Sequence, residues 1–354
     1  MSKVDIIAKA ILKRIRTNAY ADKIPGERAL AEEFDVDFKT ANRAVSALVE
    51  QGSLVRRRGL GTFIAPVGQR RELSIGLCFF KMTDPGRDPV FTRFFAGMNR
   101  AIRAQGMRFD VTALADVAAP GLPAAEQAQR FRNQVLASDP DGLIYLGNID
   151  PGLIDQLRAE RPTIVVDQTP EQLGFDSVTR DVRGGTADAV RHLHSRGHRH
   201  IALATYHQDA HAYDLAEKEL GYTSAVNTLG LTARIVRLVH PNEPAFMQAI
   251  FAGEPRPTAV VCSESTLAMQ LINLAPNLGL SLPRDLAITS FDDSDLGLHT
   301  RPTLSSIVAF GDELATRAVQ RLLDRLDGKA VGRIADVLPC PFIERASSTW
   351  DIPS

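Results

Sequence analysis

The sequence predicts an α/β chain. A small basic helical unit ending in a hairpin comes first, followed by two lobes of parallel sheet covered by helices. Three observations carry this reading. Charge is divided unevenly: residues 1–70 hold 13 Lys/Arg against 8 Asp/Glu, and the remainder 28 against 34, within a net charge of −1. Apolar residues recur at helical spacing in the first fifty positions. From residue 73 onward, short continuous apolar runs alternate with amphipathic stretches, the pattern of parallel strands buried on both faces. The chain of 354 residues is long enough for two or three domains with their own cores.

The first helix is marked by Val4, Ile7, Ile11 and Ile15 on one face, flanked by Lys3, Lys9, Lys13, Arg14 and Arg16. Pro25 ends the link that follows, and Glu27 to Phe34 reads as a short second helix. Asp37 is placed to cap a third helix from Phe38 to Glu50. Within that helix Ala41, Ala44, Val45 and Leu48 form an apolar stripe, and Lys39, Asn42, Arg43 and Ser46 form the opposite face. Leu54–Arg58 and Thr62–Ala65 alternate as strands around the turn Gly59-Leu60-Gly61. Two helices joined by a tight turn, the second basic, followed by a hairpin, make a winged helix-turn-helix. Arg56, Arg57 and Arg58 on the wing suit phosphate or minor-groove contact.

The stretch IPGERALAEEFDVDFKTANRAVSALVEQGSLVRRRGLGTFIA resembles the winged helix-turn-helix of the GntR family of bacterial regulators. The P-x-E-R start, the L-A spacing, the N-R-A-x-x-x-L helix and the G-x-G-T-F wing occur in order. The resemblance implies that Arg28, Lys39, Thr40, Asn42 and Gly61 touch DNA. The helix face and the wing add Arg43, Arg57 and Arg58. Asp37 and Phe38 stand where the family usually has Ser and Arg, which implies an altered operator preference.

After a polar linker at 67–72, strands and helices alternate: ELSIGLCFF, FTRFFAGMNRAIRAQG, RFDVTALA, AAEQAQRFRNQVLAS, DGLIYLG, LIDQLRAERP and TIVVDQ. A second series runs from TADAVRHLHSRG through HIALAT, DLAEKELGYTSAVNTLG, ARIVRLV, EPAFMQAIFAG, TAVVCS and STLAMQLINLAPNLG to LAITSFDD. Two series predict two similar lobes. Ligands in such folds bind at the carboxyl ends of strands, here in the cleft between lobes.

DVRGGTADAVRHLHSRGHRHIALAT is similar to the LacI/GalR-type effector domain, which has the fold of periplasmic binding proteins. DPVFTRFFAGMNRAIRAQG, KELGYTSAVNTLGL, PTAVVCSESTLAMQ, SLPRDLAITSFDD and RPTLSSIVAF extend the likeness over about residues 73–349. By this resemblance residues 1–66 are the winged helix-turn-helix. The N-lobe is about 73–178 and 306–334, and the C-lobe about 179–305 and 335–349, with a final strand near 337–345. The pocket is expected to include Phe91, Asp167, Lys218 and Asp292, with His240 and Glu264 at the ends of C-lobe strands. Carboxylates that accept from hydroxyl pairs, a donating cation and an aromatic face suit a sugar. Lys218 replaces the usual Arg, Val182 the usual Asn, and Glu264-Ser265 the usual Asn-Asp, so the resemblance does not name the sugar.

HLHSRGHRH, residues 192–200, holds four of the eight histidines. His192 and His194 are two residues apart on a helix, about 200° around it, and cannot chelate one metal together. Gly197 ends that helix, so the cluster reads as a helix-to-strand junction with no metal and no cofactor implied. Cys78, Cys262 and Cys340 form no C-x-x-C pair and predict no disulfide framework. Neither G-x-G-x-x-G, G-x-S-x-G nor H-E-x-x-H is present. Ser263-Glu264-Ser265 could pose as a nucleophile and base but lacks a third partner. The N-terminus has no secretory apolar core and no run long enough to span a membrane, so a cytoplasmic location is expected.

The expectation is therefore a ligand-controlled, DNA-binding transcription regulator, not an enzyme. It would be a repressor that dimerises on a palindromic operator, with a GntR-like head on a LacI-like sensor, similar to arabinose-repressor-like regulators. The alternative is a sugar-processing enzyme or sugar-binding protein of the same lobed fold.

Overall fold

The computed structural model describes residues 3–16, 19–66, 72–80, 89–105, 108–115, 123–147, 151–168, 174–206, 213–238, 246–330 and 332–350. The chain divides into two compact units. Unit 1 is Met1–Pro85, Phe94–Val178 and Asp312–Asp336; unit 2 is Gly86–Arg93, Thr179–Gly311 and Val337–Ser354.

Unit 1 begins with α1 (Lys3–Arg16), α2 (Glu27–Glu33) and α3 (Phe38–Glu50). Ile7, Ile11 and Ile15 of α1 pack with Leu30 of α2 and with Ala41, Ala44, Val45 and Leu48 of α3. The small residues let α3 lie close against its neighbours while leaving its polar face outward. β1 (Leu54–Arg57) and β2 (Gly61–Ile64) pair antiparallel, Leu54 opposite Ile64 and Arg57 opposite Gly61. Tyr20 fastens the helices, donating to both carboxylate oxygens of Glu33 at 3.2 and 2.9 Å. Burial and that carboxylate push its hydroxyl up to about 12.

The remainder of unit 1 is built on β3 (Glu72–Phe80), β4 (Arg108–Ala115), β5 (Gly142–Gly147) and β6 (Thr163–Val166), all parallel. β7 (Ser177–Arg180) pairs parallel with β6, and β13 (Ala335–Leu338) completes the order β13-β7-β6-β5-β3-β4. The crossovers are α4 (Pro89–Ala104), α5 (Ala124–Ala137) and α6 (Pro151–Glu160), and α11 (Gly311–Leu326) returns from the second unit. Phe131, Tyr145, Leu153 and Phe175 share one core with Leu143 and Val165.

Unit 2 repeats the scheme. β8 (Ile201–Tyr206), β9 (Ile235–Leu238), β10 (Ala259–Cys262), β11 (Ala287–Phe291) and β12 (Ser305–Ile307) are parallel, with β14 (Phe342–Ile343) added antiparallel at the edge. The helices are α7 (Val182–Ser195), α8 (Tyr213–Thr228), α9 (Phe246–Phe251) and α10 (Ser265–Leu274). α7 starts earlier than the repeat TADAV suggests, because the Asp181 side chain accepts from the Gly184 N–H at 2.8 Å and caps it. The strand expected near 337–345 is two short strands in different sheets. Pro339 and Pro341 lack the N–H that a continuous ladder needs, and the chain changes sheets across them. β7 and β12 were not expected from the sequence; at four and three residues they are too short to show a period.

α7 and α8 cross at close range. A Cβ on Gly221 would stand 2.3 Å from the Arg183 carbonyl oxygen. Next to that contact Arg183 grips Glu217 through two bonds of 2.9 Å. Gly221→Ala must push the helices apart and is expected to lower the stability of unit 2 by roughly 1–3 kcal/mol, read as an earlier midpoint in urea. An unchanged midpoint would show that the crossing has room to spare.

Candidate nucleic-acid interface and effector-binding face

The head presents the residues picked from the sequence on one small structure. Asp37 caps α3, accepting from the Thr40 N–H at 2.8 Å. The Thr40 hydroxyl also donates to Asp37 at 2.6 Å, so its proton is engaged within the protein. The hydroxyl and amide hydrogen bonds from Thr40 hold the Asp37 carboxyl below its usual range. Lys39 and Arg43 are exposed on α3, and Arg28 is exposed on α2. Asn42 is half-buried, its Oδ1 accepting from Ser46 at 3.2 Å. Arg58 is exposed in the wing turn, and Arg57 lies over the Phe63 ring at 4.6 Å. Gly61 has φ +112°, a conformation open to glycine, and its Cα faces the Lys23 side chain.

Two residues change weight against the sequence reading. Arg56 is tethered to Glu27 at 3.1 Å and Ser46 at 3.2 Å, so it fastens the wing to α2 and α3. Lys23, which the sequence reading passed over, runs beside the wing. It bridges to Phe63, and the Ile24 N–H donates to the Thr62 carbonyl at 3.1 Å. Only the fold brings it there, since 40 residues of chain separate the partners. Phe38, at the start of α3, is 50% exposed, an apolar tip on an otherwise polar face.

In unit 2 the carboxyl ends of the strands gather the polar groups. Asp292 follows the last residue of β11 with φ 66°. In unit 1 Asp167 follows the last residue of β6 with φ 55°. The left-handed region is unfavourable for residues with a Cβ, so both aspartates occupy a conformation that functional positions often retain. Phe91 lies on α4. Its side chain, and His240 altogether, fall outside the described residues.

Lys218 is 2% exposed, and its amine donates to Asp214 at 2.5 Å and to the Ser263 carbonyl at 2.9 Å. It also sits 4.3 Å from the Phe291 ring centroid. Arg180, 5% exposed, approaches the other oxygen of Asp214 at 3.5 Å. Burial opposes the charge on Lys218, but Asp214, Asp292 and Glu264 outweigh it and hold the amine above its usual range. Burial likewise opposes the charge on Asp214, and Lys218 and Arg180 keep it ionised. The expected ligand donor is thus a buried clamp that fixes α8 to the end of β10. Sequence reasoning missed Asp214 and Arg180. Only the i, i+4 spacing of Asp214 and Lys218 could have hinted at the pair. Glu264 stands at the N-cap of α10, where the Thr266 hydroxyl reaches it at 3.4 Å.

The histidines of the junction each have separate surroundings. His192 meets the Ser348 hydroxyl at 3.0 Å, and its ring lies tilted by 41° against Phe342 with centroids 4.7 Å apart. His198 is fully buried, with Nδ1 3.0 Å from the Thr258 hydroxyl and no hydrogen-bond partner at Nε2. Among the described residues no three His, Cys, Asp or Glu side chains cluster as metal ligands would.

Residues 3–64 match the model of bacterial regulatory proteins of the gntR family, and residues 190–348 match a periplasmic binding protein-like domain. The chain carries a GntR-type helix-turn-helix and a periplasmic-binding-protein-like domain. It is 25% identical over 348 residues to the HTH-type transcriptional repressor CytR of Escherichia coli (strain K12), covering 96% of each chain. It is 26% identical to the arabinose metabolism transcriptional repressor of Geobacillus stearothermophilus, covering 94% of this chain and 92% of that one. The lac repressor dimer bound to operator and an anti-inducer shares the fold, with TM-score 0.64 and 20% identity over 78% of this chain and 94% of that chain. The first two are transcriptional repressors by name.

Burial, together with His192 and Arg199, pushes His198 down to about 4 from an ordinary 6.5. Its folded form resists the proton while its unfolded form takes it up, so stability is complete above pH 6.5 and drains away toward pH 4. The loss is up to roughly 3 kcal/mol. A neutral replacement, His198→Gln, is expected to flatten the fall of the thermal midpoint between pH 7 and pH 4. A variant as acid-sensitive as the parent would place the titration elsewhere.

Proposed function

We propose that this protein is a sequence-specific, DNA-binding transcription regulator, acting as a repressor, and controlled by a small ligand. The carrying observation is the α3 face. Lys39 and Arg43 stand exposed beside Arg28 and a basic wing, on a helix whose opposite side is wholly buried in the head. A helix so presented fits the major groove, and the wing supplies phosphate contacts. Within the DNA-contacting set of Arg28, Lys39, Thr40, Asn42, Arg43, Arg57, Arg58 and Gly61, the long cations supply affinity. Asn42 has a side-chain amide that can read a base edge. Phe38 in place of the family's Arg offers the groove an apolar tip, which suits a thymine methyl.

The ligand is a sugar, held at the carboxyl ends of the sensor strands by Asp292 and Asp167, with Phe91, Glu264 and His240 as further contacts. Support comes from the left-handed aspartates and from relatives whose names include a repressor of arabinose metabolism. Lys218 acts there by fixing Asp214 and Ser263 rather than as a free donor. The protein works in the cytoplasm as a homodimer on a palindromic operator, needs no cofactor and catalyses no reaction. Ligand shifts the population of sensor states that fit DNA.

One experiment separates the two halves of this reading. Arg28→Ala with Arg43→Ala is expected to abolish operator binding in fluorescence anisotropy while leaving ligand-induced thermal stabilisation in place. Asp292→Ala is expected to do the reverse, keeping operator affinity and losing the stabilisation. A screen of pentoses, hexoses and disaccharides by thermal shift supplies the ligand; saturation at about 100 times the dissociation constant adds roughly 2.7 kcal/mol. Loss of both properties in either variant would refute the division of labour.

A further inference from the structure

Unit 1 contains a cavity of about 620 Å³ that the sensor reading leaves unused. It lies among α6, the start of β6, Phe175 and the end of α11, and four arginines line it: Arg158, Arg161, Arg325 and Arg333. Asp155 and Asp176 in the wall, and Glu160 bonded to Arg161, stand against them, which leaves four cations to three carboxylates. The volume falls within the range of about 300–1,000 Å³ usual for small-molecule sites.

The arginines are not equivalent. Arg325 is committed, gripping Asp176 through two bonds of 2.7 Å, while Asp176 also accepts from the Ile334 N–H at 2.8 Å. That pair is neutral and rigid. Arg161 is only 5% exposed. It donates from Nη1 to the Ser138 carbonyl at 2.8 Å and from Nη2 to Glu160 at 3.2 Å, but its buried Nε has no hydrogen-bond partner. That Nε has no accessible surface, so Arg161 offers the cavity charge from behind the wall rather than a free donor. Arg158 is half-exposed, lies over the Phe175 ring at 5.4 Å and meets Asp155 at 3.2 Å. Arg333 is exposed at the rim. Ile154, Pro162 and Phe175 supply apolar wall between the charges.

From this arrangement we propose a second ligand site in unit 1, for a small phosphate monoester whose phosphate meets Arg158 and Arg333, with the Arg161 charge behind them, and whose organic body lies on Phe175 and Pro162. Guanidinium forks match phosphate oxygens in geometry as well as charge. The site is separate from the carboxyl-end face. Arg161 and Pro162 precede β6 and Asp167 follows it, so the four-residue strand sets the two places about 13 Å apart.

The test is titration calorimetry of the full chain with glycerol 3-phosphate and glucose 6-phosphate, against glycerol and glucose. At least one ester is expected to bind with a contribution absent from its parent alcohol. Arg158→Ala with Arg333→Ala, both on the rim and outside the core, is expected to weaken that binding by about tenfold or more, with the thermal midpoint unchanged. Asp292→Ala, which disables the other face, is expected to leave it intact. Ester binding that survives the arginine substitutions, that disappears in Asp292→Ala, or that is absent at millimolar ester overturns the proposal.

Discussion

A parallel sheet buried on both faces has room for charge only at its ends, and the architecture of the sensor follows from that constraint. β6 and β10 are buried along their whole length, as is β11. Within each sheet the crossovers return these strands in the same direction, so the loops that leave their carboxyl ends collect on one edge of that sheet. Unit 1 places Asp167 there in left-handed backbone; unit 2 does the same with Asp292 at its own sheet edge and seats the Lys218 amine between Asp214 and the Ser263 carbonyl. The buried cation is tolerable because its partners are close and partly bonded to it. Removing one would leave a charge stranded in the core.

The head obeys a different constraint. It is too small to bury much, so its stability rests on one compact apolar centre and on caps and clamps around it. Asp37 closes the start of α3, Tyr20 and Arg14 hold Glu33, and Arg56 ties the wing to Glu27. These contacts consume some basic residues and leave others outward. That sorting, rather than net charge, defines the face proposed to meet DNA. Arg56 belongs to the first group, and Lys39, Arg43 and Arg58 to the second.

Much of this was legible in the sequence because the signals were local. The bounds of α3 and its cap at Asp37 follow from spacing within a dozen residues, as does the presence of a wing, although pairing Gly61 with Arg57 moves the turn one residue earlier than the spacing suggests; the alternation of strand and helix from Leu73 to Phe291 is a nearest-neighbour pattern. What depended on distant partners was not legible. Lys23 reaches the wing through a bridge to Phe63, and Lys218 looked like a ligand donor until the fold brought Ser263 to it. The last strand divided because Pro339 and Pro341 deny it a ladder, a consequence visible only once its two neighbours, β7 and β12, were in place. The arginine-lined cavity joins residues from positions 154 to 333, which no motif spans.

The central claim, that the head reads a DNA sequence, is tested most directly by selection from a randomised duplex pool. The full-length protein is expected to enrich one inverted repeat, and its binding is expected to weaken steeply as salt rises from about 50 to 200 mM, as counterion release requires. A pool that stays random after repeated rounds, or a repeat that is enriched equally by a chain lacking residues 1–66, would contradict the account.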